Sequence, residues 1–136
     1  MNPILLDTHA AVWAADGLLK GEAAALVEAA AERDELLLSP ITAWEIGLLV
    51  RKKRLSVTST IEDYIRALFG QPGVVLAALT PLVAVAATVL PGSPLTDPAD
   101  RLLVATAAAY GARFVTRDRE IRAYAKSTGH IRCIAC

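Results

Sequence analysis

Residues 95–118, LTDPADRLLVATAAAYGARFVTRD, hold a helix start, a helix end and a buried strand in quick succession. Asp97 and the proline after it are typical of a helix N-cap followed by the first helical position. Gly111 marks the end of that helix, and residues 114–116 follow as a short strand. Asp118 then begins another helix. The stretch therefore predicts a helix–strand–helix unit that begins and ends on acidic side chains.

The alternation of strand and helix continues outward from this unit in both directions. Apolar runs predict strands, and capping signals with helix-forming composition predict helices between them. The predicted strands are residues 3–6, 36–38, 74–76, 114–116 and 131–134, and the predicted helices are residues 22–33, 40–54, 60–70, 81–90, 98–111 and 118–126. Parallel neighbours need crossover connections, which helices supply. We therefore expect an α/β fold, a three-layer α/β/α sandwich around a central parallel sheet of four or five strands.

Capping patterns mark two of the helix starts clearly. Ser39 and Pro40 form an N-cap with proline at the first helical position. Ser59, with Glu62 three residues later, predicts a capping box for the helix that opens at Thr60.

Length and charge limit the classes of function. A chain of 136 residues suits one domain, which we expect to span residues 1–136. Basic and acidic residues number 14 each, so any attraction to nucleic acid must come from a local patch. Glycine and proline divide the uncharged stretch 67–96 into pieces shorter than the ~20 apolar residues of a spanning helix. Without a leader pattern at the N-terminus, we expect a cytoplasmic protein with no membrane segment.

Four acidic side chains are candidates for one site. Asp7 ends the first predicted strand and Asp118 follows the fourth, while Glu45 and Asp100 lie in helices entered from the same sheet edge. Ligands of such folds bind beyond the carboxyl ends of the strands. We therefore expect these four carboxylates to converge from distant parts of the chain.

Glu45 and Asp100 conflict with their surroundings. The helical neighbours of Glu45 include Ile41 and Leu48, so its carboxylate projects from an apolar face. The face of Asp100 likewise continues into apolar residues. Burying an unpaired carboxylate is costly, and no arginine is obviously placed to pair with Glu45. Such conflicts with local folding rules are expected at functional sites.

Most of these acids also have a purely structural alternative. Asp7 can cap the turn after its strand, Asp118 can be the N-cap of the last helix, and Asp100 can favour a helix dipole. Asp97 is more typical of a cap than of a ligand, although it lies near enough to assist. Glu45 has no such alternative short of a buried arginine partner.

Clustered carboxylates need a cation. At ~4 Å and an effective dielectric near 20, each pair repels by about 4 kcal/mol. Oxygen ligands suit Mg²⁺ or Mn²⁺, whereas zinc prefers His and Cys. The implied chemistry is hydrolysis of a phosphodiester, assisted by the ion's positive charge. Thr8 and Thr116 flank two of the acids, and they either orient a carboxylate or water or simply end their strands as β-branched residues.

Basic residues lie near the acids in two places. Arg117 and Arg119 flank Asp118 and are well placed to hold a scissile strand. A second basic group is the run Arg51, Lys52, Lys53 and Arg54. This run either contacts a phosphate backbone or complements the dipole at the C-terminal end of its helix.

Five further residues have open roles. Trp13 and Trp44 either stack on bases or pack in the core or an interface, and packing is the more common use. His130, Cys133 and Cys136 form an H-x-x-C-x-x-C pattern at the C-terminus. A last strand with free thiols is favoured over a metal or redox site, because structural zinc needs a fourth ligand.

Taken together, these residues resemble the PIN-domain nucleases, and in particular the VapC-type toxins of bacterial toxin–antitoxin pairs. The likeness covers essentially the whole chain. Its blocks are LLDTHAAVW around Asp7, SPITAWEIGLLVRKKRL around Glu45 and LTDPADRLLVATAAAYGARFVTRD through Asp118, in that order and spacing.

The resemblance implies a PIN-like fold and a Mg²⁺- or Mn²⁺-dependent endoribonuclease. The family's acidic positions correspond to Asp7, Glu45, Asp100 and Asp118. Asp100 is assigned in preference to Asp97, and Thr116 matches a position where the family favours a small polar residue. The resemblance also implies a homodimer and a cognate VapB-type antitoxin whose C-terminal segment covers the acidic pocket.

Two other functions compete with this interpretation. A phosphotransferase with Asp7 as nucleophile is disfavoured, because there is no second Asp two residues later and no glycine-rich phosphate loop. The main alternative is a non-catalytic PIN-fold binding module that acts through protein or RNA contacts.

Overall fold

Strands and helices alternate along the chain in the computed structural model, which describes residues 1–92 and 95–136. In chain order the elements are β1 (Ile4–Leu6), α1 (Thr8–Ala15), α2 (Gly21–Glu32), β2 (Leu36–Leu38), α3 (Pro40–Arg51), α4 (Ile61–Phe69), β3 (Val74–Leu76), α5 (Pro81–Ala86), a 3₁₀ turn (Ala87–Val89), α6 (Pro98–Ala109), β4 (Arg113–Val115), α7 (Arg119–Thr128) and β5 (Cys133–Ile134). The predicted order is confirmed, with one additional helix, α1, directly after β1.

The strands form a parallel sheet in the order β3-β2-β1-β4-β5. Strands β2 and β3 are added on one side of β1, and β4 and β5 on the other side. The order of strand addition therefore reverses between β1 and β4, although all strands are parallel. Ligands of open α/β sheets bind at such a switch point, beyond the carboxyl ends of the strands. Leu6 lies opposite Val115, which brings the ends of β1 and β4 side by side.

Alternate side chains of the inner strands enter two apolar layers. Leu5, Leu37 and Phe114 pack with residues of α6 and α7 on one face of the sheet. Ile4 and Leu38 pack with residues of α1 to α4 on the other face. Every residue of β1 and β2 is buried, as expected of parallel strands covered on both sides. The predicted three-layer α/β/α sandwich is confirmed.

Several local boundaries differ from prediction. Thr60, not Ser59, caps α4, because its hydroxyl accepts a hydrogen bond from the Asp63 N–H at 3.1 Å. The predicted Ser59–Glu62 capping box is therefore wrong by one residue. The predicted helix 81–90 is divided into α5 and a 3₁₀ turn, and β5 is shorter than residues 131–134.

The uncharged stretch 67–96 forms several short elements. It contributes the end of α4, β3, α5 and the 3₁₀ turn. Within residues 1–92 and 95–136, no helix combines the length and the apolar character that crossing a bilayer would require.

Gly73 tests the packing of β3 against α2. Its φ is +83°, and a Cβ there would lie 2.0 Å from the carbonyl oxygen of Ala31. We expect Gly73→Ala to lower the free energy of unfolding by about 2 kcal/mol or more, through backbone strain and displacement of Ala31. Urea denaturation measures this change.

Gly47→Ala is the matched control for this substitution. Gly47 lies within α3, and a Cβ there would have no neighbour within 4 Å. Its replacement is expected to be neutral or to stabilise the fold by up to about 1 kcal/mol, because alanine favours helix. Equal destabilisation by both substitutions would contradict the proposed role of close packing.

Candidate active site

Asp7 and Asp118 lie beyond the ends of neighbouring strands. Asp7 is the N-cap of α1, and its Oδ1 accepts a hydrogen bond from the Thr8 N–H at 2.7 Å. Asp118 is the N-cap of α7, and its Oδ1 accepts from the Ile121 N–H at 3.0 Å. Both capping roles considered from the sequence are therefore present. They also hold the two carboxylates at the switch point of the sheet.

Thr116 links these two acids. It is fully buried, and its hydroxyl donates to Asp7 Oδ2 at 2.6 Å. The hydroxyl oxygen of Thr116 also accepts a hydrogen bond from the Asp118 N–H at 3.0 Å. One side chain thus orients the carboxylate of Asp7 and fixes the backbone where α7 begins.

Thr8 holds Glu45 in a similar way. The buried Thr8 hydroxyl donates to Glu45 Oε1 at 2.6 Å and lies 3.3 Å from Thr42 Oγ1. This contact joins the start of α1 to the middle of α3. In the described ranges of the chain, the salt bridges are Arg33–Glu35 and Asp63–Arg66, so Glu45 takes part in none of them. A neutral hydroxyl, and not an arginine, stabilises this carboxylate.

Asp97 and Asp100 begin α6. Asp97 is the N-cap, and its Oδ2 accepts from the Asp100 N–H at 2.9 Å, which is the capping role favoured for it. Asp100 lies in the first turn and is half-buried. Its carboxylate accepts no hydrogen bond from any described residue, although the helix N-terminus favours its negative charge.

The five acids are electrostatically coupled. Burial, first of all, raises the pKa of Asp100 from 3.8 to about 7. Repulsion adds to this rise, and its sources are Asp97, Asp118, Asp7 and Glu45. Burial also raises the pKa of Asp7 and of Glu45, partly opposed by the threonine hydroxyls that donate to them. The structure therefore brings the four predicted acids and Asp97 together, and we call this group the acidic cluster.

The acidic cluster fits a divalent cation by charge and donor type. Carboxylate oxygens are the ligands that Mg²⁺ and Mn²⁺ prefer, and Asp100 offers both oxygens free of hydrogen bonds to described residues. The described side chains do not form a ready-made group of three or more ligands, however. Oxygens of Asp7, Glu45 and Asp118 accept hydrogen bonds from the protein. An ionised carboxylate has about four lone-pair sites, so each of these side chains keeps sites with which it can contact an ion.

A cleft of about 350 Å³ adjoins the acidic cluster. Its lining includes Thr8, His9, Glu45, Asp97, Lys52 and Arg54. Acidic and basic groups thus share one concave surface, where Lys52 and Arg54 can contact a phosphate.

The basic run 51–54 divides at this cleft. Lys52 and Arg54 line it, whereas Arg51 and Lys53 are exposed elsewhere. The helix ends at Arg51, and Lys53 has a φ of +58°, so the predicted helix 40–54 is three residues too long. Most of the run therefore lies beyond the helix and not in its last turn.

The tryptophans differ in their surroundings. Trp44 is 58% exposed and lines the cleft, so it does not pack in the core, and packing at an interface stays a prediction. Trp13 is half-buried, and Arg117 Cζ lies 4.6 Å from the centroid of its ring as a cation–π contact. Arg119 instead lines a separate cleft, so the two arginines that flank Asp118 face different surroundings.

His9 is a site residue that the sequence reasoning missed. It is exposed, lines the cleft, and lowers the pKa of both Asp7 and Glu45 through its charge. It was missed together with α1, whose residues are buried on most sides and show no amphipathic period. Asp7 as an N-cap before an alanine-rich run is the signal that identifies this helix.

The C-terminal cysteines behave as packed thiols. Cys133 lies in β5, and burial raises its pKa to about 11, which keeps the thiol neutral near pH 7. Burial also raises the pKa of Cys136, and both cysteines are free. The prediction of a last strand with free thiols is confirmed.

Comparison with known proteins places this geometry in a family. The PIN domain family matches residues 4–127. The chain is similar to Ribonuclease VapC22 of Mycobacterium tuberculosis (strain ATCC 25618 / H37Rv), with 36% identity over 126 residues, 91% of this chain and 93% of that protein.

Solved structures share the fold at lower identity. VapBC2 from Rickettsia felis, bound to a DNA fragment from their promoter, has a TM-score of 0.68 at 14% identity, covering 97% of either chain. DNA-bound VapBC from Salmonella typhimurium has a TM-score of 0.65 at 18% identity, covering 99% of this chain and 98% of that chain. FitAB bound to an IR36 DNA fragment has a TM-score of 0.62 at 21% identity, covering 97% of this chain and 94% of that chain. These likenesses concern the fold.

The raised pKa of Asp100 predicts how stability depends on pH in metal-free solution. Between the ordinary pKa of 3.8 and the folded-state pKa of about 7, the folded chain holds a proton that the unfolded chain has released. The free energy of unfolding is therefore expected to decrease as pH rises through this window. Asp100→Asn should raise the free energy of unfolding by about 1 kcal/mol at pH values above this window and change it little below. The effect is modest because partial exposure screens the repulsion.

Urea denaturation in EDTA on either side of this window measures the effect. Asp16→Asn, at an exposed position just after α1, is the matched control and should alter stability equally at both pH values. If the difference between Asp100→Asn and the unsubstituted chain does not change with pH, the raised pKa is wrong.

Proposed function

The chain belongs to the PIN-domain family, and from this premise we propose that it is a ribonuclease toxin of the VapC type that hydrolyses RNA phosphodiester bonds. The observation that carries the proposal is the acidic cluster, whose members Asp7 and Asp118 lie at the switch point between β1 and β4. The similarity to a protein named as a ribonuclease, over nearly the full length of both chains, supports it. We propose that residues 1–136 act as one PIN domain.

We propose Mg²⁺ or Mn²⁺ as the cofactor, held by Asp7, Glu45, Asp100 and Asp118. When bound, such an ion supplies positive charge that activates water and stabilises the negative charge developing on the phosphate. The chain itself contributes orientation. Thr116 holds the Asp7 carboxylate and the start of α7, and Thr8 holds Glu45. Preorganised carboxylates need less rearrangement when an ion and a phosphate arrive.

Cationic side chains around the acidic cluster bind the substrate in this proposal. Lys52 and Arg54 line the cleft beside Glu45 and are placed to contact the phosphate that is cut or its neighbours. Arg117 and Arg119 flank Asp118 and hold the strand on that side, while Arg51 and Lys53 add positive potential from outside the cleft.

A cognate VapB-type antitoxin is the partner we propose, because the related folds were solved as VapBC complexes. The C-terminal segment of this antitoxin would cover the acidic cluster and exclude RNA. We also propose that the protein acts in the cytoplasm, on RNA found there.

RNA cleavage tests the central proposal. A 5′-labelled RNA pool is expected to be cut in Mg²⁺ or Mn²⁺ and to stay intact in EDTA. Asp7→Asn removes a negative charge that is proposed to hold the metal ion. It should lower the rate of cleavage by about 100-fold or more, which corresponds to a loss of ~3 kcal/mol of transition-state stabilisation. Asparagine still caps a helix, so α1 should remain folded.

Asp16→Asn provides the control for charge loss near α1 and should cut RNA at the normal rate. Cleavage that survives EDTA would contradict the metal-assisted reaction. RNA binding without any cleavage would instead support a non-catalytic binding module.

The exposed side of α5 supports a homodimer, which the family resemblance also implies. Leu82 and Val85 of α5 are 82% and 62% exposed, and Val89, at the end of the 3₁₀ turn that follows, is 74% exposed. Val83 faces the other way and packs on α6. We propose that this apolar face pairs with a second copy of the chain, since an uncharged surface meets its own copy without like-charge repulsion.

Sedimentation velocity tests the dimer. Leu82→Glu combined with Val89→Glu should convert dimers to monomers, because carboxylates would then face each other across the two-fold axis. Leu18→Glu, at another apolar position that is 56% exposed, should leave the dimer intact. A monomeric unsubstituted chain would contradict the proposal, as would a dimer that survives the double substitution.

A further inference from the structure

A second cleft, of about 640 Å³, lies between α7 and β5. Its lining contains four charged side chains, and all of them are basic: Arg119, Arg122, Lys126 and Arg132. Every one of the four is exposed. The chain carries no net charge, with 14 basic and 14 acidic residues, so this surface is a local excess of positive charge. We call it the cationic groove.

Helix α7 provides most of the cationic groove. Arg119, Arg122 and Lys126 are spaced i, i+3, i+7, which places them along one face of the helix. At a rise of 1.5 Å per residue, this line of charge is about 10 Å long. Arg132, just before β5, adds a fourth cation. The charges therefore form a track and not a single point.

Like charges lie next to each other along this face of the helix. Arg119 and Arg122, and Arg122 and Lys126, are like-charged neighbours at spacings that repel on a helix surface. Arg119 also lies at the N-terminal end of α7, where the helix dipole disfavours a cation. In residues 1–92 and 95–136, none of these cations forms a salt bridge. A surface on which like charges lie together without ion pairs is typical of an anion-binding site.

The cationic groove begins beside the acidic cluster. Arg119 directly follows Asp118, at the end of α7 that faces the carboxyl edge of the sheet. From there the lining follows the helix to the turn at Gly129. A strand whose phosphate lies at the acidic cluster would therefore have its next phosphates over Arg122 and Lys126.

We propose that the cationic groove binds the phosphate backbone of single-stranded RNA on one side of the cleaved bond. This inference rests on the proposed ribonuclease function and names the surface that holds the substrate away from the reacting phosphate. An RNA backbone suits the groove better than an acidic protein segment, because the charges lie along a line that starts at the proposed hydrolytic centre. The contacts are to phosphates, so the groove adds affinity without reading base sequence.

Salt-dependent binding tests the proposal. The full chain is titrated with an oligouridylate of about 15 nucleotides in EDTA, and the slope of log K against log salt concentration is measured. Arg122→Gln combined with Lys126→Gln should make this slope less negative by about 1.4, because each lost phosphate contact with a single strand contributes about 0.7. Lys20→Gln combined with Arg66→Gln removes the same charge outside the groove and should leave the slope unchanged.

Cleavage kinetics provide the second measurement. In Mn²⁺, the groove double variant should show a raised KM for the same RNA with kcat unchanged, since it retains the acidic cluster. Thermal unfolding should show a midpoint close to that of the unsubstituted chain, because relief of like-charge repulsion along α7 offsets the loss of a cation from its last turn.

The outcomes separate this proposal from the function on which it rests. If the unsubstituted chain cuts RNA but the double substitution leaves both slope and KM unchanged, the cationic groove proposal is overturned and the ribonuclease function stands. If the unsubstituted chain cuts no RNA in either metal, the ribonuclease function fails, whatever the slopes show. A double variant that binds RNA normally but loses affinity for a protein partner would identify the groove as a protein interface and also overturn the proposal.

Discussion

The parallel pairing of β1 with β4 is the constraint on which the rest of the structure depends. These strands are far apart in the chain, yet their pairing brings the Thr116 hydroxyl to 2.6 Å from Asp7, a residue 109 positions away. The same hydroxyl holds the N–H of Asp118, so two helices begin beside each other at the sheet edge. The apolar layers on both faces of the sheet keep this pairing fixed, because a shift in register would expose buried side chains.

The charge distribution follows from that geometry. Burial and mutual repulsion make the acidic cluster costly to ionise, as the raised pKa of Asp100 shows. Threonine hydroxyls reduce the cost at Asp7 and Glu45 without neutralising them, whereas an arginine partner would cancel the negative charge that a cation needs. Basic residues lie to either side, with Lys52 at the cleft and Arg122 in the cationic groove. A neutral chain thus contains an acidic centre between basic surfaces, which suits the ribonuclease function proposed for it.

Local patterns predicted most of the elements because strands and helices here carry strong signals. Leu36–Leu38 is a buried apolar run, and Pro40 and Pro98 mark helix starts with their preceding caps. Prediction was wrong where the signal was ambiguous. Ser59 and Thr60 both have hydroxyls that can cap a helix, and only the backbone direction selects Thr60. Helix α1 was not predicted because its neighbours bury it on most sides. Its sequence therefore lacks the alternation of apolar and polar residues that identifies a surface helix.

The sequence by itself determined the fold class, the order of the elements and the identity of the conspicuous acids, because periodicity, capping and a carboxylate on an apolar face are local properties. Glu45 was recognisable in this way without any knowledge of its partners. Only the tertiary structure decided that Thr8 donates to it, that His9 lies at the same cleft, and that Arg122 and Arg132 share a groove. Those relations join residues distant along the chain, and they depend on strand order and helix packing, which no short segment of sequence encodes.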